Sequence, residues 1–288
     1  MQKVIVILGQ TATGKSELAV SIAQKSARRG GVGGEIISAD SRQVYKGLDI
    51  GTGKIIEKEM KGVPHHLLDV ANPKRQFTVA QYKKLAEKKI KEIIARGKIP
   101  IICGGTGLYI DTITKGVVFP EVPPNLKLRK KLALASDRAL MLKLRKLDLV
   151  RAQNIDPQNK VRLIRAIEIA QALGQVPKIT QATPVYEFVK IGLYLPPEKL
   201  KKKIEKRVKE MFNKGLLNKI KKLKKTGVSS RRLKEFGFEY DNPTYEKVVK
   251  ETLKYTKRQM TWFKRDKEIK WFDASNIKQM NLLMLLVY

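Results

Sequence analysis

Residues 1–16 read MQKVIVILGQTATGKS, and this stretch decides how the chain folds. Residues 4–8, VIVIL, form a short apolar, β-branched run of strand type. Gly9-Gln10-Thr11-Ala12-Thr13-Gly14-Lys15-Ser16 follows at once and fits the pattern G-x-x-x-x-G-K-[ST]. Leu18, Ala19 and Ile22 then carry the apolar spacing of a helix. Strand, glycine loop and helix in this order make a cradle for phosphate. Gly9 and Gly14 let the backbone curl until its amides point at an anion, and the helix brings its positive dipole end to the same place. Lys15 adds a point charge for a terminal phosphate, and the Ser16 hydroxyl is placed to ligate Mg²⁺. The pattern does not separate ATP, GTP and an organic diphosphate, which present similar oxygens.

Residues 35–40, EIISAD, are a second apolar run, ending in a carboxylate. Ligands of an open parallel sheet sit at the carboxyl ends of its strands, so Asp40 is expected to face the same phosphates. It suits a metal-water contact, a base acting on a nucleophile, or equally the cap of the segment that follows. Residues 41–54, SRQVYKGLDIGTGK, are polar and glycine-rich, as functional loops beside a phosphate site are. Residues 64–70 read as a further strand, and His65 and His66, with no third ligand at useful spacing, read as structural. A helix is expected from Thr78 as N-cap, with Gln81 at the capping-box position, to about Ala95. Residues 99–103, IPIIC, read as a buried strand. Gly104-Gly105-Thr106-Gly107 is a second glycine turn, which makes Thr106 a candidate contact for the same anion or the reacting atoms.

The strand–helix rhythm then stops. Pro120, Pro123 and Pro124 mark a linker, and residues from about 125 to 185 read as helices without strands. Arg162 and Arg165 share one side of a helix there. This predicts an all-helical insertion over residues 121–185, carried by an α/β core of residues 1–120 and 186–288. Strand character returns at residues 189–195. Pro196 and Pro197 introduce a lysine-rich helix with Ile204, Val208 and Met211 as its apolar stripe. Residues 255–263 form a basic helix with interleaved aromatics, a composition that suits stacking on splayed RNA bases. The apolar residues 280–288, MNLLMLLVY, are too short to span a bilayer and read as a final packing helix.

The formal charge of +33, from 60 Lys+Arg against 27 Asp+Glu, points to a polyanionic partner, with nucleic acid the leading candidate. One cysteine, Cys103, excludes an internal disulfide and a multi-cysteine metal site and suits a reducing cytoplasm. No run of 18 apolar residues exists, so no membrane span is expected, and the N-terminal strand does not have the form of a signal peptide.

Six segments in order resemble one family: tRNA dimethylallyltransferase (tRNA isopentenyltransferase) of the bacterial type. They are residues 9–16, residues 38–54 (SADSRQVYKGLDIGTGK), residues 65–69 (HHLLD), residues 104–109 (GGTGLY), residues 162–168 (RLIRAIE) and residues 257–262 (KRQMTW). The second is the most specific, because the phosphate loop is common to many enzymes. The resemblance implies a P-loop NTPase-like α/β core, a parallel sheet flanked by helices, plus the helical insertion as a tRNA-clasping domain. It implies transfer of a dimethylallyl group from its diphosphate to the exocyclic amine of the adenosine just 3′ of the anticodon in tRNA. Asp40 would be the general base, and Thr106 would contact the diphosphate near the breaking bond. Lys15, Mg²⁺ held by Ser16, and the amides of Gly9, Gln10, Thr11, Ala12, Thr13 and Gly14 would stabilise the departing diphosphate. By the same resemblance the anticodon stem-loop would be contacted by Asp40, Ser41, Arg42, Gln43, Thr106, Lys127, Val161, Arg162, Leu163, Ile164, Arg165, Gly237, Lys257 and Arg258. The chain departs from the family habit at Gln10, where proline is usual, at Val161, where a polar residue is usual, and at Gly30 to Gly34, which lengthen one loop. A monomer acting in the cytoplasm is expected. The rival within the same chemistry is a prenyltransferase acting on free adenine nucleotides, which would need neither the insertion nor the basic surface.

Overall fold

The structure, a computed structural model, describes residues 1–28, 32–178, 180–181, 183 and 185–276. The helix expected over residues 280–288 and the glycines at 30 and 31 lie outside them. The strands are β1 (Lys3–Gly9), β2 (Gly34–Ser38), β3 (His65–His66), β4 (Ile99–Cys103), β5 (Val117–Val118), β6 (Thr180–Gln181), β7 (Glu187–Tyr194) and β8 (Lys270–Asp273). Between them run α1 (Lys15–Arg28), α2 (Glu57–Met60), α3 (Val79–Ala95), α4 (Gly107–Thr114), α5 (Leu126–Ala133), α6 (Asp137–Leu147), α7 (Leu149–Gln153), α8 (Lys160–Leu173), α9 (Pro197–Asn213), α10 (Leu216–Lys225), α11 (Ser230–Phe236) and α12 (Tyr245–Phe263). The chain divides into two compact units, Met1–Gly116 with the chain from Thr183 onward, and Val117–Ala182.

The first unit is a parallel sheet in the order β3-β2-β4-β1-β7-β8. Its central strands are apolar without interruption because both faces are covered. Val4, Val6 and Leu8 of β1 face a core shared with Tyr82, Ile90 and Ile93 of α3 and Ile110 of α4. Ile5 and Ile7 face the opposite core, with Leu18, Ala19, Ile22 and Ala23 of α1. The start of α3 follows its sequence signal: Thr78 Oγ1 accepts from Gln81 N at 3.2 Å, and Thr78 N donates to Gln81 Oε1 at 2.8 Å. The strand expected over residues 64–70 shrinks to His65 and His66, because Leu67 (φ 63°) and Asp69 (φ 55°) take left-handed conformations that leave the sheet. Both histidines bond within the fold, His65 through Nδ1, 2.8 Å from the Val63 carbonyl. His66 Nε2 lies 2.6 Å from the buried Glu35, which also receives Arg96 at 2.7 Å. The edge strand β8 carries no sequence signal beyond its four residues, KWFD, and forms by pairing with β7.

In the second unit each of the four helices has a side-chain cap at its start, supplied by Asn125, Ser136, Asp148 and Asn159. Such caps are worth about 1 kcal/mol each. Its core gathers Leu132, Leu140, Leu144, Leu163 and Ile167. The unit is not purely helical: β5 and β6 pair antiparallel, Val117 with Gln181 and Val118 with Thr180. Buried Glu168 fastens α8 to the start of α5. It accepts from Asn125 N at 2.6 Å and from Arg129 Nε and Nη2 at 2.9 and 2.7 Å. It also accepts from Arg165 Nη1 at 2.5 Å.

Candidate active site

The carboxyl ends of β1, β2 and β4 deliver three loops to one place. Gly9 closes β1 with φ 129°, and a Cβ there would stand 2.1 Å from the Leu193 carbonyl of β7. Only glycine lets the phosphate loop leave the sheet this close to its neighbour. The loop is braced from within: Thr13 Oγ1 donates to the Gln10 carbonyl at 2.8 Å, and the Lys15 ammonium donates to the same oxygen. Burial pushes the Lys15 ammonium down to about 8, with Arg207 adding to the effect and Cys103 and Asp40 opposing it. Ser16 is exposed in the first turn of α1.

Asp40 follows β2 directly. Its Oδ1 accepts from Arg42 N at 2.8 Å and Gln43 N at 3.2 Å, so it does cap the next turn. Its Oδ2 takes no hydrogen bond among the described residues. The cap thus uses one oxygen of the carboxylate and leaves the other without a hydrogen bond among the described residues. Thr106, after β4, is tied to the same turn. Its N–H donates to the Ala39 carbonyl at 3.1 Å, and its Oγ1 accepts from Ser41 N at 3.0 Å. The Thr106 hydroxyl in turn donates to Ser41 Oγ at a long 3.4 Å. Gly104 permits the approach, since a Cβ there would lie 2.2 Å from the Ala39 oxygen.

The sequence motifs did not assign roles to the residues that join these loops. Gln259 of α12 is buried, accepts from Thr11 N at 2.9 Å and donates to the Gly105 carbonyl at 2.9 Å. It staples the phosphate loop to the second glycine turn. Arg207 of α9 donates to the Thr52 carbonyl at 2.8 Å; burial lowers its guanidinium, and the charges of Asp40, Glu239 and Glu210 oppose that shift. The Tyr255 hydroxyl lies 3.5 Å from the Gly105 carbonyl and is pushed up to about 12 by burial, with Asp40 adding to the shift. The sequence did hold a signal for Arg207. It falls three residues after Ile204 and four before Met211, so this charge sits on the buried stripe of α9.

The other expected tRNA contacts fall as follows. Ser41, Arg42 and Gln43 lie beside Asp40, half-buried, and Gln43 Nε2 donates to the Thr52 carbonyl at 3.3 Å. Gly237 ends α11 with φ 117°. Lys257 and Arg258 are exposed on α12. In the helical unit Lys127, Val161 and Arg162 are exposed. Leu163 is fully buried and offers no side-chain surface to a ligand, and Ile164 packs against the same core. Arg165 spends its guanidinium on Glu168 and on the Val122 carbonyl, at 2.9 Å for the latter.

The IPP transferase family model matches residues 43–266. A curated relative from Anoxybacillus flavithermus, a tRNA dimethylallyltransferase, is 38% identical over 96% of this chain and 91% of its own length. The solved tRNA isopentenylpyrophosphate transferase of Bacillus halodurans aligns over 100% of this chain and 96% of its own, at 33% identity and a TM-score of 0.72. A eukaryotic dimethylallyltransferase acting on tRNA aligns over 98% of this chain and 76% of its own, at 27% identity and a TM-score of 0.79. The chain belongs to the IPP transferase family.

Proposed function

We propose that the chain transfers a dimethylallyl group from dimethylallyl diphosphate to the exocyclic amine of the adenosine 3′-adjacent to the anticodon of tRNA, releasing diphosphate. The observation that carries this reading is the pairing of an anion cradle with a carboxylate that has one oxygen free. The amides of residues 9–16 and Lys15 would hold the diphosphate, and Asp40 follows the end of β2, near enough for its charge to act on the Lys15 ammonium. The amine lone pair forms the new C–N bond as the C–O bond breaks and its electrons leave on the diphosphate. The amine proton passes to Asp40 Oδ2. The Thr106 hydroxyl would exchange its long 3.4 Å bond to Ser41 Oγ for one to the oxygen on which charge develops, and Lys15, low in proton affinity when empty, gains an anionic partner.

Mg²⁺ fits the oxygen chemistry of this mouth. The Ser16 hydroxyl would hold the ion; among the described residues no three His, Cys, Asp or Glu side chains are grouped to hold a metal. When bound it would neutralise part of the leaving-group charge. Exposed Lys257 and Arg258, with Ser41, Arg42 and Gln43, would contact the RNA from the α/β unit, and Lys127 and Arg162 from the helical unit. No helix among the described residues is long and apolar enough to cross a membrane. A monomer working in the cytoplasm on free tRNA completes the reading.

The test is Asp40→Asn, which keeps the oxygen that accepts from Arg42 and Gln43 while removing the base. With Mg²⁺, dimethylallyl diphosphate and unmodified tRNA, wild type should add a prenyl-sized mass to one adenosine. The variant should lose about 10²–10⁴-fold in turnover with tRNA affinity kept. Unchanged turnover would remove Asp40 from the role. Product on AMP or ATP in place of tRNA would move the activity to free nucleotides.

A further inference from the structure

α10 carries charge of one sign only, and the chemistry assigned so far does not use it. Its ten residues, LLNKIKKLKK, hold five lysines and no acid. Leu216, Ile220 and Leu223 are its buried stripe. Lys219 pairs with Asp49 Oδ2 at 2.7 Å. Lys221, Lys222, Lys224 and Lys225 are exposed and make no ion pair among the described residues. They stand three and four residues apart, spacings at which like charges repel. A lysine-rich composition does not by itself produce this. α3 also has five lysines, but it sets acids against them: Lys83 meets Glu87 at 2.5 Å, and Glu92 meets Lys89 at 2.6 Å and Lys88 at 3.8 Å. α10 also lies against the segment that follows Asp40. Beside the Lys219–Asp49 pair, a Cβ at Gly47 would meet Leu223 Cδ2 at 3.6 Å. The same segment offers the Thr52 carbonyl to Gln43 Nε2. Lys222 and Lys225 follow Lys219 at three-residue steps, so a ridge of cations leads away from that contact. Lys74, also exposed, joins its far end, where a Cβ at Gly227 would meet Lys74 Nζ at 3.2 Å.

Resting on the reading of the chain as an enzyme acting on tRNA, we propose that α10 is a phosphate rail. Lys221, Lys222, Lys224 and Lys225, with Lys74 at the end, hold the sugar–phosphate backbone that flanks the bases Ser41, Arg42 and Gln43 would contact. Lysine ammonium groups are point charges with rotatable donors, which suits phosphate and carries no base readout. The rail therefore adds affinity for the backbone and leaves the choice of base to the mouth beside Asp40. Counterions released from the phosphates drive the contact, and an anion among the four lysines also relieves their mutual repulsion. An anionic bilayer surface is the other polyanion to consider. A helix that lies in a bilayer needs a broad apolar face turned to the lipid, and on the exposed side of α10 the apolar residue is Leu217 alone. The charge is thus arranged for nucleic acid.

The test uses the full chain and unmodified tRNA, with affinity measured by filter binding from about 0.05 to about 0.2 M salt. Lys221, Lys222, Lys224 and Lys225 are changed together to Gln, which keeps the helix propensity. The slope of log affinity against log salt should fall by about 0.7–0.9 for each phosphate released, so by at least about 1.4 if two or more are held. The double variant Lys222→Gln/Lys225→Gln should show part of that fall and carries the test if the fourfold variant does not fold. A control, Lys83, Lys84, Lys88 and Lys91 of α3 changed to Gln, removes the same number of charges from the net +33 and should leave the slope as in wild type. Equal slopes in wild type and the largest folded α10 variant would overturn the inference and leave the tRNA reading standing. Equal falls in the α10 and α3 variants would overturn it as well, since they would report net charge and no local contact. An α10 variant that keeps the tRNA slope but loses binding to phosphatidylserine vesicles would give this face to a membrane. No tRNA binding by wild type would overturn both the rail and the reading it rests on.

Discussion

Gln259→Leu tests what holds the phosphate loop in its binding shape. The side chain is 5% exposed, and each end of its amide is committed to backbone. Oε1 accepts from Thr11 N and Nε2 donates to the Gly105 carbonyl, both at 2.9 Å. Leucine nearly matches the volume and makes neither bond. Gly105 is buried, and its carbonyl would keep only the long 3.5 Å contact from the Tyr255 hydroxyl, a loss of about 1–3 kcal/mol. Thr11 is half-exposed, and water can reach its N–H, so that loss is nearer the net value of one bond, about 0.5–1.5 kcal/mol. The expected destabilisation is about 2–4 kcal/mol, read as a shift in the urea midpoint at unchanged slope. Binding should suffer separately. A loop no longer pinned at Thr11 must be ordered by its ligand, and about 1 kcal/mol of ordering corresponds to roughly fivefold weaker diphosphate affinity. Gln259→Glu is the informative partner, because it keeps the acceptor for Thr11 and loses the donor to Gly105. It should bind diphosphate better than the Leu variant, unless its charge repels the anion, which high salt would reveal. If Gln259→Leu costs less than about 0.5 kcal/mol and leaves affinity unchanged, the bridge between the two glycine turns does not organise the site.

Three further outcomes are expected. Glu168→Ala removes the acceptor shared by Arg129, Arg165 and Asn125 N. It should cost about 3–5 kcal/mol, confined to the helical unit and measured as faster hydrogen exchange in residues 117–182 with the sheet unaffected. Burial would raise Glu35, but hydrogen bonds from Arg96 and His66 outweigh it and hold the carboxyl down from 4.5 to about 2. The resulting stability is fully present above about 4.5 and is lost as pH falls through about 2, so Glu35→Gln should flatten the acid limb of a stability–pH curve over that window. Lys257→Ala, on the exposed face of α12, should weaken tRNA binding and reduce its salt slope by about 0.7–0.9, and an unchanged slope would mean this helix does not touch phosphate.

The parts of the fold that sequence made legible are those written in consecutive residues. The run VIVIL before the phosphate loop and the Thr78–Gln81 box each signal an element through local chemistry, and each element stands where its signal lies. The failures have equally local causes. Residues 64–70 carry strand composition, yet two residues in the left-handed region end the strand early. β5, β6 and β8 are each four residues or fewer and exist by pairing with distant chain, which no window of sequence displays.

The site divides along the same line. Lys15, Asp40 and Thr106 are marked by the loops that carry them, since a glycine turn after a strand has few uses. The residues that join those loops are spread along helices and read as something else. The buried face of α12 is Val248, Thr252, Thr256, Gln259 and Phe263, helical in its spacing but polar at its centre. A search for apolar periodicity passes over such a face. Yet three polar residues on a buried stripe must find partners, and Gln259 finds them in two glycine loops that offer only backbone. Arg207 repeats the logic on α9, where the guanidinium on the apolar stripe finds the Thr52 carbonyl. A polar or charged residue in phase with a helix's apolar stripe is thus the sequence mark of a joining residue.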